Sequence, residues 1–102
     1  MGYFQINTTI KAKGNIDIVN PFVLWRPVPS FDSNVVAYEF RYFATLEDMG
    51  NNEVFRPRDF GVSIEDDSLD LTNSDNWANM PTTAESLLEA IEEIGDNVTY
   101  VQ

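Results

Sequence analysis

The chain of 102 residues contains no cysteine and no histidine. Without thiols there is no disulfide framework and no thiolate metal site. Without imidazole there is no Ser-His or Cys-His pair, no His-ligated zinc and no His-ligated haem. Lysine is almost as scarce, with Lys11 and Lys13 the only two, so the six serines have no plausible activating base. Both lysines fall on the outward side of an alternating segment beside a turn, where a solvated edge position explains them. The five glycines are scattered singly, which excludes a Gly-rich phosphate loop or a dinucleotide fingerprint. No apolar run approaches the ~20 residues of a membrane span, and "MGYFQINTTIKAKG" lacks a basic region followed by an apolar block. Its sixth residue is not the Ser or Thr of a myristoylation signal. No enzyme activity, metal or cofactor is expected from this inventory.

The last absence is one of sign. All six Lys and Arg residues, Lys11, Lys13, Arg26, Arg41, Arg56 and Arg58, precede residue 59, where six acids balance them. From Asp59 onward there are eleven acids and no base, so the last 44 residues carry the whole net charge of −11. A surface of that kind repels phosphates and argues against direct nucleic-acid binding, while it suits a partner with a basic surface.

What is present is ample for folding: the apolar fraction is 43% and the aromatic fraction 13%, enough to offset chain entropy in a single domain spanning residues 1–102. Residues 3–13 alternate, with Phe4, Ile6, Thr8, Ile10 and Ala12 on one side, as a half-buried strand does. Lys13, Gly14 and Asn15 suit a tight turn into "NIDIV", so residues 3–19 are expected to form a hairpin. "FVLW" at 22–25 reads as a short strand covered on both faces, and "RPVPSFDS" after it as an extended connection. Residues 35–47 give the clearest alternation and are expected to be the central strand, its polar face offering Glu39 and Arg41 for pairing with each other or across the ladder. A turn at 47–52 leads to a second hairpin ending near residue 64, with Pro57 at an edge or bulge.

Residues 65–81 read as an acidic loop. The segment "DDSLDLTNSD" places oxygen ligands at alternate positions, but Leu71 stands where an EF-hand loop needs Gly, so a solvated loop is the better reading. A helix is expected over 82–95, with Thr82 and Glu85 as a capping box, Ala84, Leu87, Leu88, Ile91 and Ile94 on its apolar face, and Gly95 as its stop. A terminal strand over 97–102 closes the chain. The expected fold is α+β: a mainly antiparallel sheet of two hairpins and a C-terminal strand with one C-terminal helix packed on it, the alternative being a β-sandwich with an appended helix.

The polar side of that helix displays Glu85, Glu89, Glu92 and Glu93, whose like-charge spacings each cost ~0.2–0.5 kcal/mol. Local helix stability did not select them. General solubility, a cationic partner and adaptation to high salt are the three available causes. With Asp66, Asp67, Asp70 and the aromatic anchor Trp77, they form the candidate partner-binding set; Trp77 and Trp25 also read simply as buried apolar residues. The functional expectation is a non-enzymatic structural or interaction subunit that docks a basic protein surface through its acidic half. Self-assembly, with Arg26, Arg41, Arg56 and Arg58 meeting the acidic half of a neighbour, would make it a homo-oligomer. The alternative is an acidic decoy that mimics nucleic acid and blocks a DNA- or RNA-binding protein. A third reading, a small-molecule module with Trp25 and Tyr38 in a pocket, has no convergent polar group. Short, free of His and Cys, Asn-rich and β-rich, with a strand starting directly behind Met1, the chain resembles small phage or prophage virion proteins such as head or tail accessory proteins. That resemblance implies a role in a virion assembly and a virion or cytoplasmic location; it carries no site residue with it.

Overall fold

The computed structural model describes residues 2–102 and is α+β, built on antiparallel sheet. The alternation of residues 3–13 is real but belongs to two strands, β1 (Tyr3–Ile6) and β2 (Thr9–Ala12), separated by a break at Asn7 and Thr8. The inward residues Phe4, Ile6, Ile10 and Ala12 are all buried, as the period-2 pattern requires. The pattern survives the break, so it does not reveal that β1 and β2 enter different sheets. β2 pairs with β3 (Ile16–Val19) in a two-stranded hairpin. Its turn uses positive φ at Gly14 (87°) and Asn15 (59°), the residue types that adopt this region at least cost.

The main sheet has five strands in the order β6-β5-β4-β1-β7, where β4 is Phe22–Ser30, β5 Val35–Phe43, β6 Ser63–Asp66 and β7 Val98–Val101. Two expectations are corrected here. The central strand is β4, not the segment 35–47, and β4 continues through Pro27 and Pro29 instead of yielding to a connection. The register explains why the prolines are tolerated. The Phe40 N–H is donated to Val62 O at 2.7 Å, on the side of β5 away from β4. Trp25, opposite Phe40, is therefore in a non-hydrogen-bonded pair, and so by period 2 are Pro27 opposite Tyr38 and Pro29 opposite Val36. Both prolines lack a donor on the side where β1, paired only at Phe22 and Val23, has already ended.

Strand β5 stops at Phe43 because Thr45 caps a short helix, α1 (Leu46–Gly50), its Oγ1 accepting from the Asp48 N–H at 3.0 Å, where a turn was expected. The second hairpin is reduced to isolated bridges at Phe55 and Pro57 followed by β6, which reaches two residues into the presumed acidic loop. The remaining loop holds a 3-10 helix, Ser74–Asn79, that runs directly into α2 (Met80–Glu89). The helix is thus shorter and earlier than 82–95, and the capping box does not form. Pro81 supplies a pre-set φ in the first turn, the cap residue Asn79 makes no side-chain bond, and Thr82 is exposed. Beyond Glu89 the chain decays into turns, in which Ile91 O accepts from both Ile94 N (3.0 Å) and Gly95 N (2.9 Å) before Gly95 turns with φ 59°.

Cross-strand partners share a face, so the register places Phe4, Ile6, Val23, Trp25, Val36, Tyr38, Phe40 and Tyr42 on one side of the sheet. There they form one core with Met80, Ala84 and Leu88 of α2 and with Leu71 and Ile94. Of the apolar face read from the sequence, Ala84, Leu87 and Leu88 pack from α2, while Ile91 and Ile94 pack from the turns that follow it. β7 antiparallel to β1 forms the sheet's last strand, and Gly2 permits this: a Cβ on Gly2 would lie 2.7 Å from Val101 O. No helix among the described residues is long and apolar enough to cross a membrane.

Candidate functional site

The candidate residues occupy both ends of the molecule. Nine residues of β4 span about 30 Å, and five strands at ~4.8 Å spacing span less, so the 42 Å principal extent runs along the strands. The β4–β5 turn, residues 31–34, lies at one end. The β2–β3 hairpin lies at the other, because it connects the end of β1 to the start of β4.

At the first end, Asn34 joins two segments. Its backbone is left-handed (φ 52°), and its amide reaches across to the acidic loop: Nδ2 donates to Leu69 O and Oδ1 accepts from Leu71 N, both at 2.9 Å. This is strand-like pairing supplied by one side chain, and it inserts Leu71 into the core at 4% exposure. The loop is further ordered by its own Asx turns. Asp66 Oδ2 accepts from Ser68 N (3.2 Å) and Ser68 Oγ (2.7 Å), while Asp70 Oδ1 accepts from Thr72 N (3.0 Å) and Thr72 Oγ1 (2.6 Å). The Thr72 hydroxyl, aided by the Thr72 N–H, holds the Asp70 carboxyl below its ordinary value. In "DDSLDLTNSD" the Asp66 and Asp70 carboxylates thus act as turn makers. Among the described residues no group of three or more acidic side chains converges to hold a metal ion.

Asn73 Oδ1 accepts from Asp75 N at 3.0 Å and starts the 3-10 helix that carries Trp77. The indole Nε1 donates to Leu71 O at 3.4 Å, and the ring packs against Phe31 at a centroid distance of 5.8 Å. Trp77 is 45% exposed and Phe31 58%. They form an aromatic knob with Asp32 next to Phe31 in the chain and Asp70 and Asp75 on the adjoining loop. Trp77 was legible as a loop aromatic; Phe31 was not, because its only signal was an isolated aromatic after a proline-containing run.

The other predicted residues lie elsewhere. Glu85 and Glu89 are half-buried on α2, which begins at the knob and runs toward the opposite end, where Asn97 O accepts from Asn7 N at 2.7 Å. Glu92 and Glu93 are exposed beyond the helix; the Arg58 guanidinium is raised above its ordinary value by its hydrogen bond to Asp59, with smaller contributions from the charges of Asp59, Asp17 and Glu93. The eight candidates therefore make a band along the molecule, not one patch. Because α2 ends at Glu89, only Glu85 and Glu89 remain like-charge neighbours at helical spacing.

Neutralisation within the chain is slight. Among the described residues there are three ion pairs: Lys11 with Asp17 (2.6 Å), Arg26 with Glu39, and Arg58 with Asp59 (2.8 Å). Ten of the eleven acids from Asp59 onward thus have no cation within 4 Å among the described residues. The Arg26–Glu39 pair realises the cross-ladder option for Glu39, while Arg41 turns to Asn52 Oδ1 (2.8 Å). Both pairs sit at exposed positions and contribute ~0–1 kcal/mol.

Trp25 and Tyr38 pack in the core at 8% and 0% exposure, with rings 6.3 Å apart, so they do not line an open pocket. Their Nε1 and hydroxyl, with the Tyr42 hydroxyl, are buried without a hydrogen-bond partner among the described residues. Burial pushes both phenols above the ordinary tyrosine value. At Tyr38 the neighbouring Thr83 works against this rise and the Asp66 charge adds to it. The chain matches no protein-family model, no curated protein and no solved structure.

Proposed function

We propose that the protein is a non-enzymatic subunit of a larger assembly, which docks a basic protein surface through its acidic half with the Trp77–Phe31 knob as the apolar contact. The observation that carries this reading is the set of ten carboxylates with no cation partner among the described residues, together with an exposed aromatic pair. A partner's Arg and Lys would replace solvent counterions there, and an aromatic anchor beside them supplies contact area and a cation–π surface. A virion component is the assembly in which a chain of this size and composition fits best. The test is affinity capture by the intact chain, followed by stepwise salt elution, with Trp77→Ala in parallel. The reading expects a captured protein with a basic face, released by moderate salt and held less well by the variant. A neutral partner retained equally at all salt concentrations contradicts it.

The band geometry also favours a second reading, the nucleic-acid mimic. In that band the carboxylates from Asp66 to Glu93 would stand in for the phosphates of duplex DNA, which carries about one charge per 1.7 Å. Competition separates the two: a decoy is displaced from its target by duplex DNA, and an assembly subunit is not.

A further inference from the structure

The β2–β3 hairpin has one covered and one open edge. On the β2 side, Arg58 N donates to Lys11 O and Lys13 N donates to Arg56 O, both at 2.9 Å, so residues 56–58 complete that edge. On the β3 side no strand follows among the described residues. This open strand also carries two of the most exposed apolar side chains in the protein, Ile16 at 59% and Val19 at 65%. An uncovered strand with apolar side chains and neither proline nor glycine is a template for further pairing.

We infer that the occupant of this edge is β3 of a second copy, paired antiparallel about a twofold axis through Ile18. The register follows from two constraints. Asn20 N donates to Thr8 O at 3.1 Å, so the backbone groups of Ile16, Ile18 and Asn20 point at β2, and those of Asp17 and Val19 point outward. In a continuous sheet, opposite residues must also share a face, which restricts a twofold pairing to residues of equal parity. Centring on Ile18 meets both demands. Asp17 then faces Val19 of the other copy, and the two outward residues of each chain exchange four hydrogen bonds. Ile18 faces its own equivalent, and the Ile16 and Ile18 side chains of both copies form one apolar row.

The competing centre, Asp17, would set two carboxylates directly opposite each other and is disfavoured. Charge also selects this end. Lys11, Lys13, Arg56 and Arg58 lie on this ribbon, so two copies of a chain of net charge −11 meet where repulsion is weakest. The inference stands independently of the acidic docking surface. A contact of four residues a side belongs to the small, transient class of interfaces.

Because the chain lacks cysteine, a single introduced thiol reports the register without background. Under mild oxidation Ile18→Cys should cross-link into a covalent dimer, whereas Asp17→Cys should do so at least ~10-fold more slowly, since its equivalent is not opposite. In the unmodified chain, amide exchange at Asp17 and Val19 should slow as protein concentration rises, while Ile16 and Ile18 are already protected in the monomer. Val19→Glu should abolish that concentration dependence, because it sets a second carboxylate opposite Asp17 of the other copy, and should leave the thermal transition within a few degrees, because Val19 is exposed. Added salt should preserve or strengthen the dimer, the opposite of its effect on acidic docking. Exchange at Asp17 and Val19 that does not vary with concentration, or faster cross-linking through Asp17→Cys than through Ile18→Cys, overturns the proposal.

Discussion

Removing the Asn34 side chain should detach the acidic loop from the sheet. Asn34→Ala deletes two partly buried hydrogen bonds, to Leu69 O and from Leu71 N. Each is worth ~0.5–1.5 kcal/mol, and one kcal/mol more follows from placing alanine in the left-handed region, so about 2–4 kcal/mol of stability is lost. Asn34→Gly removes the same bonds without the backbone cost and should retain about 1 kcal/mol relative to alanine. Urea unfolding followed by circular dichroism gives both values. Trp77 fluorescence should red-shift below the main transition, because the indole is held by a bond to Leu71 O and by Phe31. A loss under about 0.5 kcal/mol for Asn34→Ala, with unchanged Trp77 emission, would refute the claim that this amide positions the knob.

Leu88→Ala, at a fully buried position between α2 and the sheet, should cost about 2–5 kcal/mol in the same urea assay. Glu89→Lys should stabilise by about 0.5–1 kcal/mol, since it replaces the Glu85–Glu89 repulsion by attraction and places a cation in the last helical turn; thermal unfolding at low salt reads this. Gly2→Ala should lower the melting temperature by forcing β7 away from β1, with amide exchange at Tyr100 and Val101 accelerated first. The Tyr38 and Tyr42 phenols have folded pKa values above those of the unfolded chain. Their contribution is therefore complete below about pH 10 and is lost above it as the unfolded state ionises first. Ultraviolet titration should show these two phenolates forming together with unfolding, and titration before unfolding would contradict their burial. Asp59 and Asp70 are lowered, so the stability they add is present above about pH 4 and declines as the pH falls through their folded values.

The α+β class, the inward residues of β1, β2 and β5, and the apolar stripe of α2 were legible because each rests on periodicity, which burial enforces directly. Element ends were less so. A capping box at Thr82 and Glu85 lost to Pro81, which starts the helix earlier, and the exit at Glu89 is set by turns that bury Ile94 from a non-helical backbone. The break at Asn7 and Thr8 was hidden because both strands keep the same inward parity. Sheet order is a long-range property, and nothing local in "FVLWRPVPS" shows that a strand with two prolines lies in the middle of the sheet with one flank open beyond Val23. Of the candidate site, the unneutralised charge and Trp77 were readable. The contributions of Phe31 and Asn34, and the separation of Glu92 and Glu93 from the knob, depend on which loops meet.

The central claim is that the carboxylates following Arg58 are available to a basic partner. Its most direct test is the affinity of the intact chain for its co-purified partner across a salt series, compared with a variant in which Asp67, Asp75 and Glu85 become Asn, Asn and Gln. The account predicts that affinity falls as salt rises, and that the variant binds more weakly with a shallower salt dependence. Equal affinity and equal salt dependence for the two proteins would contradict it.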